Sequence, residues 1–383
     1  MLNFSDILGQ SHAVSIIQSA LQSGHIHHAW IFHGSIGIGK FTVAKALAAA
    51  LLDPDASPNL TGIVEADPDG RCVHLIESGT HPDYHVIRKE LATVSRDRDI
   101  RDRKQMNIPR GVVLEFLVEP ASRSGHSDTN HSALASKVMI VDEAELLATE
   151  GQNLVLKTLE EPPPGTVIIL VTSRLDKLLP TIRSRCQRVG FSPLSDDEMN
   201  RWLQRFINNQ SQAPSGGGDA ETHRPISDEE RKWLLRFAAG SPGLAELAMN
   251  NHFYNWYDEI APRLRAIWNG RFDETLGKRL KELVDEYAVQ SIKGNPNASK
   301  GAANKAGARF MFQLIAAEMR AALRTVIAKG GSPDRILYLI DLLQEAEQQL
   351  NANVNMEMMF ENLVLQWDAG RQDSSAWFAT SGI

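Results

Sequence analysis

Gly34, Gly37 and Gly39 stand just ahead of Lys40 in the stretch "GSIGIGKFT". Glycines at this spacing let the backbone curl with its N–H groups turned inward. A lysine closing the curl reaches into it as a point charge, and the chemistry this suits is the grip of a phosphate chain. About a hundred residues on, "KVMIVDEAE" ends an apolar run on Asp142 and Glu143. At a phosphoryl-transfer centre a strand-end aspartate holds a magnesium ion, and a neighbouring glutamate can orient the attacking water. Thr172 and Ser173 close a further apolar run, where a polar group could sense a terminal phosphate. Arg183 and Arg185 follow in "TIRSRC"; an arginine there reads first as an ordinary surface charge or ion pair, with one lent to a neighbour's phosphates as the alternative.

One position departs from this chemistry. The residue after Lys40 should carry a hydroxyl for the metal, and it is Phe41. Thr42 comes one place late, a rotation of roughly 100° on a helix. The glycines and Lys40 therefore suit ATP, whereas magnesium-dependent hydrolysis is not expected unless Thr42 or water supplies the missing oxygen.

Such residues need a scaffold of strand, loop and helix. "AWIF" (29–32) reads as the strand before the glycine loop, and "VAKALA" (43–48) as the helix after it. Val138–Val141 and Val167–Val171 are continuous β-branched runs, as buried parallel strands are. Residues 1 to about 193 thus predict an α/β domain with a parallel sheet flanked by helices. The stretch 53–70, rich in Pro, Gly and Asp, reads as a loop or insertion. "RDRDIRDRK" (96–104) alternates its charges and reads as a solvated segment, with nucleic-acid contact as the alternative. From Ser195 the chain turns helical. Ser195 with Glu198, and Ser227 with Glu230, have the spacing of capping boxes. Residues 194–250 are expected to form a small helical domain, interrupted by a polar stretch at 208–225. Residues 251–383 are expected to form a larger helical domain, broken by a loop at 293–307.

Bulk properties set outer bounds. The chain has 383 residues, 43% hydrophobic and 23% charged, which suits several globular domains. A formal net charge of −7 argues against a general nucleic-acid binder, though not against one basic face. No secretory signal or membrane span is expected, and with only Cys72 and Cys186 no disulfide framework is expected either, so a reducing cytoplasm fits.

Taken in order, "FSDILGQ" (4–10), "HAWIFHGSIGIGKFTVAKALA" (28–48), "ESGTHPDYHVI" (77–87), "KVMIVDEAELL" (137–147), "NLVLKTLEEPPPGTVIILVTS" (153–173), "LLPTIRSRCQ" (178–187) and "GSPGLA" (240–245) resemble the bacterial clamp-loader subunits of the AAA+ class, in particular their delta-prime type. The resemblance implies a P-loop AAA+ domain (1–193), a helical lid (194–250) and an all-α C-terminal collar (251–383). It implies a place in a five-membered ring with gamma/tau and delta subunits, which loads a sliding clamp onto primed DNA. By the same resemblance Arg185 would be an arginine finger acting in trans. Gly34, Gly37, Gly39, Lys40, Thr42, Asp142, Glu143 and Thr172 would form the nucleotide site. "GSPG" matches a sensor segment whose usual arginine is missing, since Leu244 and Ala245 follow. The delta-prime type is expected not to hydrolyse ATP; the alternative is an ATP-hydrolysing gamma/tau type. The family's four-cysteine zinc module cannot form from Cys72 alone. Cys72, His74, His81 and His85 make an alternative ligand set, but their spacing is irregular, so a metal-free surface segment is the expected reading and metal binding the alternative. His25, His27, His28 and His33 are expected to be ordinary loop histidines.

Overall fold

The computed structural model describes residues 3–102, 106–123, 133–212, 226–269, 271–293, 299–352 and 354–380. The chain divides into two compact units, Met1–Ser215 with Ala239–Leu244, and Gly216–Ala238 with Ala245–Ile383.

The first unit is built on strands β1 (Ala29–His33), β4 (Tyr84–Ile87), β5 (Lys137–Val141), β6 (Thr166–Thr172) and β7 (Gln187–Gly190), with β2 (Ser57–Pro58) and β3 (Val64–Glu65) forming a separate ribbon inside the expected loop at 53–70. The five strands lie in the order β4-β5-β6-β1-β7, and every pairing is parallel. Side chains alternate between the faces of a strand. Trp30, Phe32, Val138, Ile140, Ile169 and Val171 join one buried cluster; Ala29, Ile31, Met139, Val141, Ile168 and Leu170 join another. Both faces are thus covered, which is why these strands read as unbroken apolar runs. The helix Lys40–Leu52 lies against the first cluster with most of its residues buried, and its apolar character accordingly runs all round. The helix Thr149–Glu160 buries Val155 and Leu159 in the second cluster.

The capping box at Ser195 is made as expected. Ser195 N–H donates to Glu198 Oε2 at 2.8 Å, and Glu198 N–H to Ser195 Oγ at 3.4 Å. At the second, Glu230 N–H donates to Ser227 Oγ at 3.1 Å. Of the stretch 208–225, residues 213–225 lie outside the described residues.

The second unit is helical, with long helices at Phe253–Trp268, Leu276–Ser291, Lys300–Ala328, Asp334–Asn351 and Met356–Thr380. The loop expected at 293–307 is corrected here. Residues 294–298 lie outside the described residues, but a helix starts at Lys300, capped where Ser299 Oγ accepts from Ala302 N–H at 3.2 Å. Gly307 lies inside this helix as a packing glycine. A Cβ there would come within 2.9 Å of Tyr287 Cδ1 and 3.2 Å of Val284 Cγ1, on the helix packed against it. Among the described residues no helix is long and apolar enough to cross a membrane.

Candidate nucleotide site

Because all five strands are parallel, whatever follows each strand gathers at one edge of the sheet. That carboxyl edge is where open α/β sheets bind their ligands. The glycine loop follows β1, Arg88 and Lys89 follow β4, Asp142 and Glu143 follow β5, and Ser173 follows β6.

The loop is positioned on several sides. Gly34, Gly37 and Gly39 all have positive φ (148°, 73° and 98°), a region L side chains avoid. Gln10, buried, donates from Nε2 to Ile38 O at 3.1 Å and to Ser192 O at 2.7 Å. The segment Gly240–Gly243 closes over Gly37: Ser241 Oγ donates to Ile36 O at 2.9 Å, and Gly243 N–H to Gly37 O at 2.8 Å. A Cβ on Gly37 would stand 2.5 Å from Ser241 Oγ, whereas one on Gly39 would meet nothing within 4 Å. The loop is therefore clamped on one side, with open space at its last glycine. Lys40 is buried, with Nζ 2.8 Å from Gly34 O and 2.5 Å from Ser35 O. Burial pushes its ammonium down to about 8, against the opposing pull of Glu145 and Asp142.

The acids are already paired. Ile87 and Val141 are register partners, so the next residues, Arg88 and Asp142, face each other. Arg88 Nε and Nη2 lie 3.0 and 2.9 Å from Asp142 Oδ2. Lys89 Nζ lies 2.9 Å from Glu143 Oε2. The Arg88 guanidinium carbon sits 4.4 Å from the centre of the Phe41 ring, a cation–π contact. Phe41 is itself packed against the core, and Thr42 is exposed on the helix. These residues do not fit a magnesium ion: one expected ligand is a benzyl ring and the other is held by a guanidinium.

The remaining expected residues separate. Thr172 is buried, and its Oγ1 accepts from Arg174 N–H at 3.0 Å. Ser173 is held through both its amide and its hydroxyl by Glu145, a carboxylate the sequence reading did not single out. Arg185 precedes β7, so it stands at the amino edge of the sheet, about 13 Å away along a four-residue strand from the edge that carries the loop. There its Nη2 lies 2.9 Å from Glu160 Oε1 and its Nη1 donates to Thr181 O at 3.1 Å, with both side chains of the pair partly open to solvent. Cys72 and Cys186 are buried, and desolvation pushes both thiols up to about 12. Among the described residues no three His, Cys, Asp or Glu side chains cluster as metal ligands would.

The residues the sequence reading missed are Arg88, Lys89, Glu145 and Gln10. The first two had a signal: "RK" after one strand and "DE" after its neighbour, opposite charges at matched register.

Residues 9–195 match the family described as DNA polymerase III, delta subunit. The chain is 30% identical over 210 residues to DNA polymerase III subunit gamma of Buchnera aphidicola subsp. Acyrthosiphon pisum, covering 54% of this chain and 50% of that one. It is 30% identical over 304 residues to subunit tau of Escherichia coli, covering 76% and 41%. The chain thus spans about half the length of the curated relatives it matches. Among solved structures, a DNA polymerase III gamma subunit-related protein from Thermotoga maritima aligns over 92% of this chain and 98% of its own, at 15% identity and a TM-score of 0.41.

Proposed function

We propose, from the match of residues 9–195 to the family described as DNA polymerase III, delta subunit, and from gamma and tau relatives at 30% identity, that this chain is a clamp-loader ring member of the delta-prime type. It holds its place beside gamma/tau and delta subunits in the cytoplasm and does not turn over ATP itself. It lends Arg185 to the nucleotide of the adjacent subunit while the assembled ring loads a sliding clamp onto primed DNA. The observation that carries this reading is the double ion pair of Arg88 with Asp142 and Lys89 with Glu143. The two acids that hydrolysis would need are both engaged by cations from the neighbouring strand end. Phe41 and the missing arginine after "GSPG" act in the same direction. Arg185 supports the other half of the reading, since it stands at the amino edge, remote from its own loop and held, among the described residues, only by a partly exposed pair with Glu160 and the Thr181 carbonyl.

The test is DNA-stimulated ATP turnover by the reconstituted loader carrying Arg185→Ala, after assembly has been verified. An arginine supplied in trans is worth several orders of magnitude at such centres, so turnover should fall by roughly tenfold or more. Unchanged turnover in an intact ring makes Arg185 an ordinary surface charge.

The gamma and tau relatives favour a second reading, an ATP-hydrolysing subunit of that type. Magnesium-dependent turnover by the isolated chain would establish it and remove the first.

A further inference from the structure

The loop is read above as taking a nucleotide's phosphates, and the inference here rests on that reading. A divalent cation beside such a loop draws its protein oxygens from two positions, the residue after the lysine and the strand-end acid. In this chain Phe41 and Asp142 hold those positions, and Arg88 joins them. Its guanidinium is bound edge-on by Asp142 Oδ2 at 2.9 and 3.0 Å, and its carbon lies 4.4 Å from the centre of the Phe41 ring. The ring and the carboxylate together seat a fixed positive charge at the place where a soluble one would be shared.

That charge sits in a rigid planar fork. It has donors to spare for a ligand. Of five N–H groups two go to Asp142, and the side chain is 43% exposed. The geometry suits planar recognition of a phosphate, which arginine makes with paired hydrogen bonds. Lys40 brings a second cation, and the open space at Gly39 leaves room for phosphate oxygens beside the first amides of the helix Lys40–Leu52. A magnesium ion arriving with the nucleotide would find no hydroxyl at Phe41 and would have to displace Arg88 from Asp142.

We propose that this loop binds a nucleoside triphosphate free of divalent metal, with Arg88 supplying the counter-charge that magnesium supplies elsewhere. The site is then a metal-independent nucleotide holder whose cation is a side chain of the protein.

The experiment is calorimetric titration of the full-length chain with ATP, once in excess EDTA and once in millimolar magnesium. The affinity in EDTA is expected to equal or exceed that in magnesium. Arg88→Ala should weaken the EDTA affinity by about tenfold or more, the scale of a lost charge-assisted hydrogen bond. Arg88→Lys, which keeps the charge but loses the planar fork and the stacking face, should recover only part of it, and circular dichroism shows that both variants are folded. Binding seen only with magnesium overturns the proposal. So does absence of ATP binding in EDTA, or an Arg88→Ala variant that binds in EDTA as well as the parent. The role in the ring fails separately. A loader that depends on Arg185 while this chain binds no ATP keeps that role and loses this inference; metal-free binding in a loader indifferent to Arg185→Ala does the reverse.

Discussion

Lys40 couples the site to pH. It is buried beside Glu145 and Asp142, with His33 also in its electrostatic reach, and its ammonium is pushed down to about 8. The charged form attracts phosphate, so ATP affinity is expected to hold below pH 8. Above that it should decline, approaching tenfold per pH unit at most. Titrations at pH 7, 8 and 9 check this, with Lys40→Met weak and flat across the range. The effect on stability has the opposite sign. The unfolded chain binds the extra proton between about 8 and the ordinary lysine value near 10.5, so this residue's contribution rises with pH across that window. Cys72 and Cys186 work the other way. Raised to about 12, they stay thiols in the folded chain, and the stability they lend is lost as pH climbs above 9. Both should resist iodoacetamide at pH 8 and react once urea unfolds the chain, which mass spectrometry reads directly. At this scale the sequence showed the loop, Lys40 and the two acids. What neutralises them shows in the sequence only as "RK" after one strand and "DE" after another, because the pairing of Arg88 with Asp142 depends on strands 54 residues apart lying side by side.

Among the elements, periodic and capped segments were legible and close backbone approaches were not. β5 and β6 read as strands because burial on both faces leaves no polar alternation, and Ser195 with Glu198 read as a helix start because a reciprocal cap needs that spacing. β4 was quoted only as part of a motif: it is short, and two of its four residues are half-buried. The helix from Lys300 is hard to see in the sequence because Gly301 and Gly307 count against helices, while the packing that Gly307 permits is invisible in one dimension. The clamp of Gly240–Gly243 on the glycine loop was equally hidden, since it joins segments some two hundred residues apart. Gly37→Ala tests that clamp. A Cβ at 2.5 Å from Ser241 Oγ, on a residue with φ of 73°, should destabilise the chain by about 1–3 kcal/mol, measured by urea unfolding. Ser195→Ala should cost about 1 kcal/mol in the same assay.

For the whole molecule, the formal charge of −7 is the governing quantity. Affinity for a phosphate backbone rests on clustered cations and falls steeply with salt. The chain alone is therefore expected to leave primed DNA unshifted in a gel at physiological salt. The α/β architecture of the first unit was readable because its motifs fall at strand ends. The second unit carries no such motif. Its helices are fixed by packing, as where a Cβ on Gly277 would lie 2.8 Å from Glu361 Cα, and nothing in the order of residues announces that contact.

The trio of Phe41, Arg88 and Asp142 also bears on reversibility. Phe41→Ser alone would restore a hydroxyl but leave Asp142 gripped by Arg88, now without its aromatic support. Arg88→Ala alone would bare Asp142 beside a benzyl ring that offers no oxygen. Neither step regains a metal site, and each discards a favourable contact. Two substitutions are needed together before a metal would find both oxygens, because Phe41, Arg88 and Asp142 each hold another of the three in place.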